Sequence, residues 1–403
     1  MSESLGKLLV VDDNEMNRDM LARRLTRRGY EVVTAPDGQN ALDLIADQSF
    51  DLVMLDIMMP GLSGWEVLER IRDKRSRLEL PVIMATAKDG SEDIVRALTH
   101  GASDYVTKPL DIEVVLARVG THVILKMTHE KLRAANRKLK KDLAAAAHIQ
   151  RSQLPLQTPS LTGCEVAWYF RPCDELGGDF LNVFDIGTDY VGLYLLDVSG
   201  HGVPAALMSV AVSQALSPSS TDTCIVSSPD RTVDDGPLRV TPPGQVADKI
   251  NRRFQIVPDA QQFFTLVYGL YEHKTHRFRY TSAGHPPLIH LPQKGRPRVI
   301  DFSGGPPIGL FQQEEGVFGP YEEQELTLGM GDRLILYSDG VTEAMDAHGQ
   351  MFGISRLLEH IEATANSKLQ DSVDDLRDTL LKWCGESHSP ADDISILIIQ
   401  IAE

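Results

Sequence analysis

From residue 7 to about 120, short apolar runs alternate with helix-length amphipathic segments. The runs are KLLVV, YEVVTA, DLVMLD, PVIMAT and DYVT. Strands that read as continuous aliphatic blocks, with helical periods between them, are covered on both faces and therefore belong to a parallel sheet. The pattern predicts a doubly wound, flavodoxin-like α/β domain with five parallel strands.

Beyond residue 121 the period changes. THVILKMTHEKLRAANRKLKKDLAAAAHIQRSQLP has no Gly or Pro before Pro155. Leu125, Leu132, Leu139 and Ala146 recur every seventh residue, and His129, Asn136 and Leu143 stand four places after the first three. Two arrangements satisfy this spacing: a parallel two-stranded coiled coil with Asn136 fixing register, or one long amphipathic helix packed on a neighbouring domain. Arg137, Lys138, Lys140 and Lys141 read as its solvated face.

A third region, from about 160 onward, holds YVGLYLLDVSG, FTLVYGLYEH, RLILYSDG and ISILIIQI among several helices. Tight turns between such strands indicate antiparallel sheets. Residues 217–244 are rich in Ser, Pro, Asp and Thr without a sustained period, and read as a mobile surface loop. The expected organisation is a first domain over 1–120, a helical linker over 121–158 and a second domain over 159–403.

Composition narrows the class of protein. The chain of 403 residues has 57 acidic against 40 basic side chains and a net charge of −17. That balance argues against tight binding to nucleic acid or anionic membrane. Cys164, Cys173, Cys224 and Cys384 show no CxxC pair or framework spacing, which suits a reducing cytosol. No apolar run reaches membrane-spanning length, so a cytoplasmic protein without a membrane or DNA partner is expected.

Chemistry enters at the strand ends. Asp12 and Asp13 follow LLVV, Asp56 ends DLVML, Thr86 ends the fourth strand and Lys108 ends the fifth. Converging carboxylates at the carboxyl edge of a doubly wound sheet call for a hard divalent cation, and a hydroxyl and an ammonium facing them suit a phosphoryl group. This constellation resembles the receiver domain of two-component response regulators over residues 7 to about 120. The resemblance implies that Asp56 is the phospho-acceptor and that Asp12, Asp13, Asp56 and the Met58 carbonyl hold Mg²⁺. Thr86 and Lys108 would contact the phosphoryl group, Tyr105 would be the aromatic switch, and Lys108–Pro109 the usual site of a cis bond.

The second region raises a false lead. Gly177-Gly178-Asp179-Phe180 is similar to the diguanylate cyclase signature GG(D/E)EF, but Phe180 directly follows Asp179, so the second acid is missing. Asp197 in YLLDVSGHG, Asp339 in YSDG and Asp392-Asp393 in PADDIS also lie beside strand ends, far from any Cys or His cluster. Such a set suits Mg²⁺ or Mn²⁺ rather than zinc, and a pair of these ions can activate a shared water for in-line attack on phosphorus.

The order GGDF, DVSGHG, FFTLVYG, AGHPP, GGPPIGL, YSDG, DDIS resembles the PPM-type (protein phosphatase 2C-like) serine phosphatases of the RsbU and SpoIIE branch, over about 160 to 401. That resemblance implies an α+β four-layer sandwich, two antiparallel sheets flanked by helices, and two or three Mn²⁺ or Mg²⁺ ions. Asp197 would bridge two ions with the Val198 carbonyl as a further ligand. Asp179 would serve the second ion, Asp339 and Asp392 the first, and Asp393 is a second choice beside them. Ser199 is a candidate cap for the helix that follows, Gly200 and Gly202 allow close backbone approach, and His201 is a candidate acid. His285 reads as structural and Arg171 as exposed. Asn182 stands where relatives often carry an acid, which would weaken the outer ion site.

These readings combine into a response regulator whose output is a metal-dependent phosphoserine/phosphothreonine protein phosphatase. A sensor histidine kinase would phosphorylate Asp56. The resemblance implies a phosphorylated STAS-domain anti-sigma-factor antagonist as substrate and a homodimer joined through the linker helix. A non-catalytic, phosphorylation-controlled adaptor is the alternative, and a diguanylate cyclase ranks below both.

Overall fold

The computed structural model describes residues 4–86, 91–155, 161–218, 225–228, 239–254, 262–311, 319–385 and 390–402, with the backbone alone at 91–94. The chain divides into two compact units, Met1–Lys141 and Asp142–Glu403.

The first unit has five strands: β1 (Lys7–Val11), β2 (Glu31–Ala35), β3 (Leu52–Asp56), β4 (Val82–Thr86) and β5 (Asp104–Thr107). They form one sheet in the order β2-β1-β3-β4-β5 with every pairing parallel. Alternate side chains of each strand feed opposite cores. Leu9, Val11, Val53, Leu55 and Val82 face one side, where α2 (Gly38–Asp47) and α3 (Gly64–Arg72) pack; Leu8, Val10, Met54 and Ile83 face α1 (Glu15–Arg27) and the start of α5 (Ile112–Ser152). The remaining helix, α4, spans Ser91–Thr99. Helix starts are set by side-chain caps: Asn14 accepts the amides of Met16 and Asn17, Asp37 accepts that of Asn40, and Ser63 forms a capping box with Glu66. Each cap satisfies donors that the first turn leaves open.

Helix α5 runs for 41 residues without a break. Its first turns are tied to the sheet through Lys126, which is buried and pairs with Asp51 at 2.6 Å, while the other Asp51 oxygen accepts the Lys7 amide at 2.7 Å. Farther along, Arg133 pairs with Glu79 at 2.7 Å. Gly120 lies inside the helix, and a Cβ there would come within 3.8 Å of the Tyr30 hydroxyl.

The second unit holds two five-stranded antiparallel sheets. One is built from β7 (Phe180–Ile186), β8 (Tyr190–Val198), β11 (Phe264–Glu272), β12 (Arg277–Ala283) and β15 (Gln324–Thr327). The other comprises β6 (Cys164–Arg171), β13 (Leu288–Leu291), β14 (Arg298–Ile300), β16 (Arg333–Tyr337) and β17 (Ile394–Ile401). Their strand orders are β15-β12-β11-β8-β7 and β14-β13-β16-β17-β6. Leu195, Val267, Leu336 and Leu397 fill the gap between the sheets. Helices α6 (Val203–Ala215) and α7 (Pro243–Arg253) cover the outer face of the first sheet, whereas α9 (Gly353–Ala363) and α10 (Leu369–Cys384) cover that of the second. Helix α8 (Asp339–Thr342) is a single turn after β16. The result is the expected four-layer sandwich.

Two local expectations change. Much of 217–244 lies outside the described residues, but β9 (Ser227–Ser228) and β10 (Arg239–Val240) pair antiparallel, and Ile225 and Val226 are buried. Apolar side chains in that polar stretch anchor it to the core. Ser199 does not cap α6. Gly202 holds the cap position with no side-chain bond, and the Ser199 hydroxyl accepts the Phe263 amide at 3.1 Å. Gly200 and Gly202 are required by their left-handed φ of 86° and 83°, not by crowding, since nothing lies within 4 Å of a Cβ at either.

Candidate functional site

In the first unit the carboxyl ends of β1, β3 and β5 converge. Lys108 Nζ donates to Asp12 Oδ2 at 2.8 Å and to Asp56 Oδ2 at 2.7 Å. Asp12 and Asp56 are buried, Asp13 is exposed, and oxygens of the three lie within 4.8 Å of one another. Burial pushes the Asp56 carboxyl up, against the opposing pull of Lys108. Burial also works to lower the Lys108 ammonium, but its bonds to Asp12 and Asp56 outweigh that and leave it raised. Asp12 is further held by the Asn14 amide at 2.9 Å, and its carbonyl accepts Arg18 at 2.7 Å. Thr86 is buried at the end of β4, and the Lys108–Pro109 bond is cis. Tyr105 is half-buried under the Arg118 guanidinium, 5.3 Å from the ring centre. Arg118 and His122 of α5 both reach Asp104, at 2.5 and 3.3 Å.

In the second unit the acids come from both sheets. Asp179 immediately precedes β7, Asp197 lies near the end of β8, Asp339 opens α8 after β16, and Asp392 and Asp393 precede β17. Burial first, then Asp339 and Asp392 nearby, pushes Asp197 up to about 7. Asp179 is held well above the ordinary range by burial, then by Asp197 and Asp393. Asp339 and Asp392 are raised as well, chiefly by burial. Depth is graded: Asp179 is 1% exposed, and its Oδ2 has no hydrogen-bond partner, although Ser338 and Ser395 face the carboxyl. An orphaned buried carboxylate oxygen among mutually repelling acids fits a divalent cation, since every donor is a hard oxygen. The acids are spread across the gap between the sheets. Among the described residues of this unit, the three-donor group lying within 4.8 Å is Cys173, Asp392 and Asp393.

Several expected side chains find their places here. His201 is exposed and close enough to Asp174 and Asp392 to favour their charged forms. His285 is buried and pushed down to about 3 by burial, so it is neutral, and its Nδ1 pairs with Thr265 Oγ1 at 2.7 Å. Thr265 lies directly across from Asp197 in the β8–β11 register. Arg171 is half-buried and close enough to Tyr169 and Cys384 to favour their charged forms. Asn182 pairs across strands with Tyr194, one residue out of phase with the Asp197 side of β8, and its Oδ1 accepts the Val183 amide at 2.8 Å. Its carboxamide therefore faces the helix-covered side of the sheet, and a weakened outer ion site does not follow from it.

Gln150 is a site residue that the sequence pattern misses. It is buried at the end of α5, donates from Nε2 to the Gly177 carbonyl at 2.7 Å and accepts the Gly177 amide at 3.4 Å. A single Gln in a helix of polar residues carries no signal. The loop it grips is tight: a Cβ on Gly178 would lie 2.8 Å from the Val198 carbonyl.

The fold and the two groups of strand-end acids define a receiver domain joined to a PP2C-like phosphatase domain. Residues 8–120 match the response regulator receiver domain, and residues 187–402, over half of the chain, match Stage II sporulation protein E (SpoIIE); the chain belongs to that SpoIIE family. It is 39% identical over 147 residues to the response regulator PleD of Caulobacter vibrioides, a match covering 36% of this chain and 32% of that protein. The SiaA PP2C domain of Pseudomonas aeruginosa shares the fold with a TM-score of 0.55 at 21% identity, over 67% of this chain and 99% of that one. Among the described residues, no helix is long and apolar enough to cross a membrane.

Proposed function

We propose that the protein is a metal-dependent phosphoserine/phosphothreonine protein phosphatase controlled by phosphorylation of Asp56. One observation carries the catalytic reading: Asp179, Asp197, Asp339 and Asp392 arrive from the strand ends of both sheets, and among them Asp179 Oδ2 is buried without a hydrogen-bond partner. Asp197, Asp339, Asp392, Asp179 and the Val198 carbonyl would hold divalent cations, Mn²⁺ or Mg²⁺. Such ions supply Lewis acidity, lowering the pKa of a water and offsetting phosphoryl charge. Asp179, the deepest of these acids, would serve the second ion. His201, exposed beside Asp392, would be a candidate acid for the leaving oxygen.

In the receiver, Asp12, Asp13, Asp56 and the Met58 carbonyl would hold Mg²⁺. Asp56 presents its carboxylate to an incoming phosphoryl group from a histidine kinase, and Lys108, already bound to both acids, stays to neutralise the product. Tyr105 under Arg118 would report the change to α5. Family membership supports a phosphorylated STAS-domain protein as substrate, and the exposed leucines of α5 support a homodimer.

Purified protein with Mn²⁺ should release phosphate from a phosphoserine protein, and Asp197→Asn or Asp339→Asn should lower kcat by about 10² or more. Full turnover in either variant would remove the cleft from the mechanism. Acetyl phosphate with Mg²⁺ should label wild type and not Asp56→Asn; equal labelling would place the acceptor elsewhere. A protein that binds a phosphorylated partner but never turns it over would be the adaptor instead.

A further inference from the structure

Asp393 differs from the other acids of the cleft in what its oxygens already do. Its Oδ1 accepts the Cys173 amide at 2.7 Å, and its Oδ2 accepts the amides of Gly178 at 2.6 Å and Asp179 at 3.1 Å. The carboxylate is 3% exposed. A carboxylate offers about four acceptor positions, so three are spent on backbone donors. Asp179 Oδ2, by contrast, has no partner.

The main chain of Asp393 is fixed as firmly as its side chain. Its carbonyl accepts the Ser338 hydroxyl at 3.2 Å, and its amide donates to Asp392 Oδ1 at 2.8 Å. A Cβ on Gly340 would fall 2.0 Å from the same carbonyl, and one on Gly177 would fall 2.7 Å from Oδ2. The loop that Asp393 grips, residues 172–179, leads from β6 in one sheet to β7 in the other and ends on Asp179.

We infer that Asp393 is a positioning residue that clamps the 172–179 loop through three amides and so aims Asp179 into the cleft, and that it is not itself an ion ligand. The inference rests on the metal-site reading above. An ion on Asp393 would compete with three amide donors, two of them buried and left unsatisfied if they lost their acceptor. The anion belongs to the loop, and the ion belongs to the acids that the loop and strands present.

Asp393→Asn preserves size but turns an N–H₂ toward at least one amide donor. In the full chain, calorimetric titration with Mn²⁺ should show the wild-type number of ions bound about 10-fold or more weakly, the usual scale for an outer partner of a ligand. Turnover at saturating Mn²⁺ should return to within about 3-fold of wild type, because the ligands remain. Loss of one bound ion with unrecovered turnover would make Asp393 a ligand and overturn the inference. Unchanged affinity would overturn it too.

Should the variant not fold, amide exchange of the wild-type peptide covering 173–180 decides the point. Protection already present in metal-free protein and kept with Mn²⁺ supports the clamp; protection lost on adding Mn²⁺ means the ion has taken the carboxylate. Wild type that takes up no Mn²⁺ overturns the metal-site reading together with this inference. Uptake by wild type with any of the adverse results above overturns the clamp alone.

Discussion

At the scale of single side chains, Asp197 and Asp179 stand out as carboxyls that burial and neighbouring acids raise. A carboxyl raised in the folded state binds a proton that the unfolded chain has already lost. Its contribution is intact below the unfolded pKa, about 4, and stability falls as pH rises through the folded value. For Asp197 that window ends at about 7. Metal-free protein should therefore melt at a lower temperature at pH 8 than at pH 5.5, with Mn²⁺ closing the gap and Asp197→Asn flattening the slope. A metal-free Tm that rises over this range would show that the acids are not buried together. The positions of the acids were legible because Asp197 and Asp339 follow apolar runs and Asp179 and Asp392 precede them. Their partners were not. Asn182 looked like a missing ligand because distance along the chain hides strand phase, and only the pairing with Tyr194 shows which face it takes. Arg171 was similarly misread as exposed, since nothing in its neighbours announces Tyr169 and Cys384.

At the scale of elements, the five parallel strands of the first unit were readable almost to the residue, because strands buried on both faces have no polar positions to blur them. The start of the long helix was not, since α5 begins at Ile112, inside the first unit. Gly120 lies inside that helix, where Lys126 and Arg133 fasten the following turns to Asp51 and Glu79, and such tertiary contacts outweigh the roughly 1 kcal/mol that glycine costs a helix. The heptad positions Leu125, Leu132 and Leu139 are 49%, 59% and 56% exposed. Leucines repeating at that spacing on an open face favour a second copy of the helix. Replacing all three with Ser should convert a dimer to a monomer in sedimentation analysis without lowering helix content by more than a few residues. A dimer that survives would place the interface in a folded unit.

For the whole molecule, the acidic balance and scattered cysteines excluded much and located nothing, whereas the order of motifs carried both units. What the order could not supply was the closure of the second sheet. Cys164–Arg171 pairs antiparallel with Ile394–Ile401, so the first strand of that unit lies against one encoded more than two hundred positions later. This pairing fixes a timetable for synthesis. Domains generally begin folding as they leave the ribosome, yet β6 has no neighbour in its sheet on that side until residue 401 has emerged, and the loop before Asp179 has no Asp393 to hold it. The receiver can be ready to accept a phosphoryl group while its output is still incomplete. Chains stopped before residue 390 should accept label at Asp56 and release no phosphate, a separation that a stalled-translation assay can read. Full phosphatase turnover by such a fragment would mean that the closing strand is dispensable. Unfinished copies would thus receive the signal without being able to act on it.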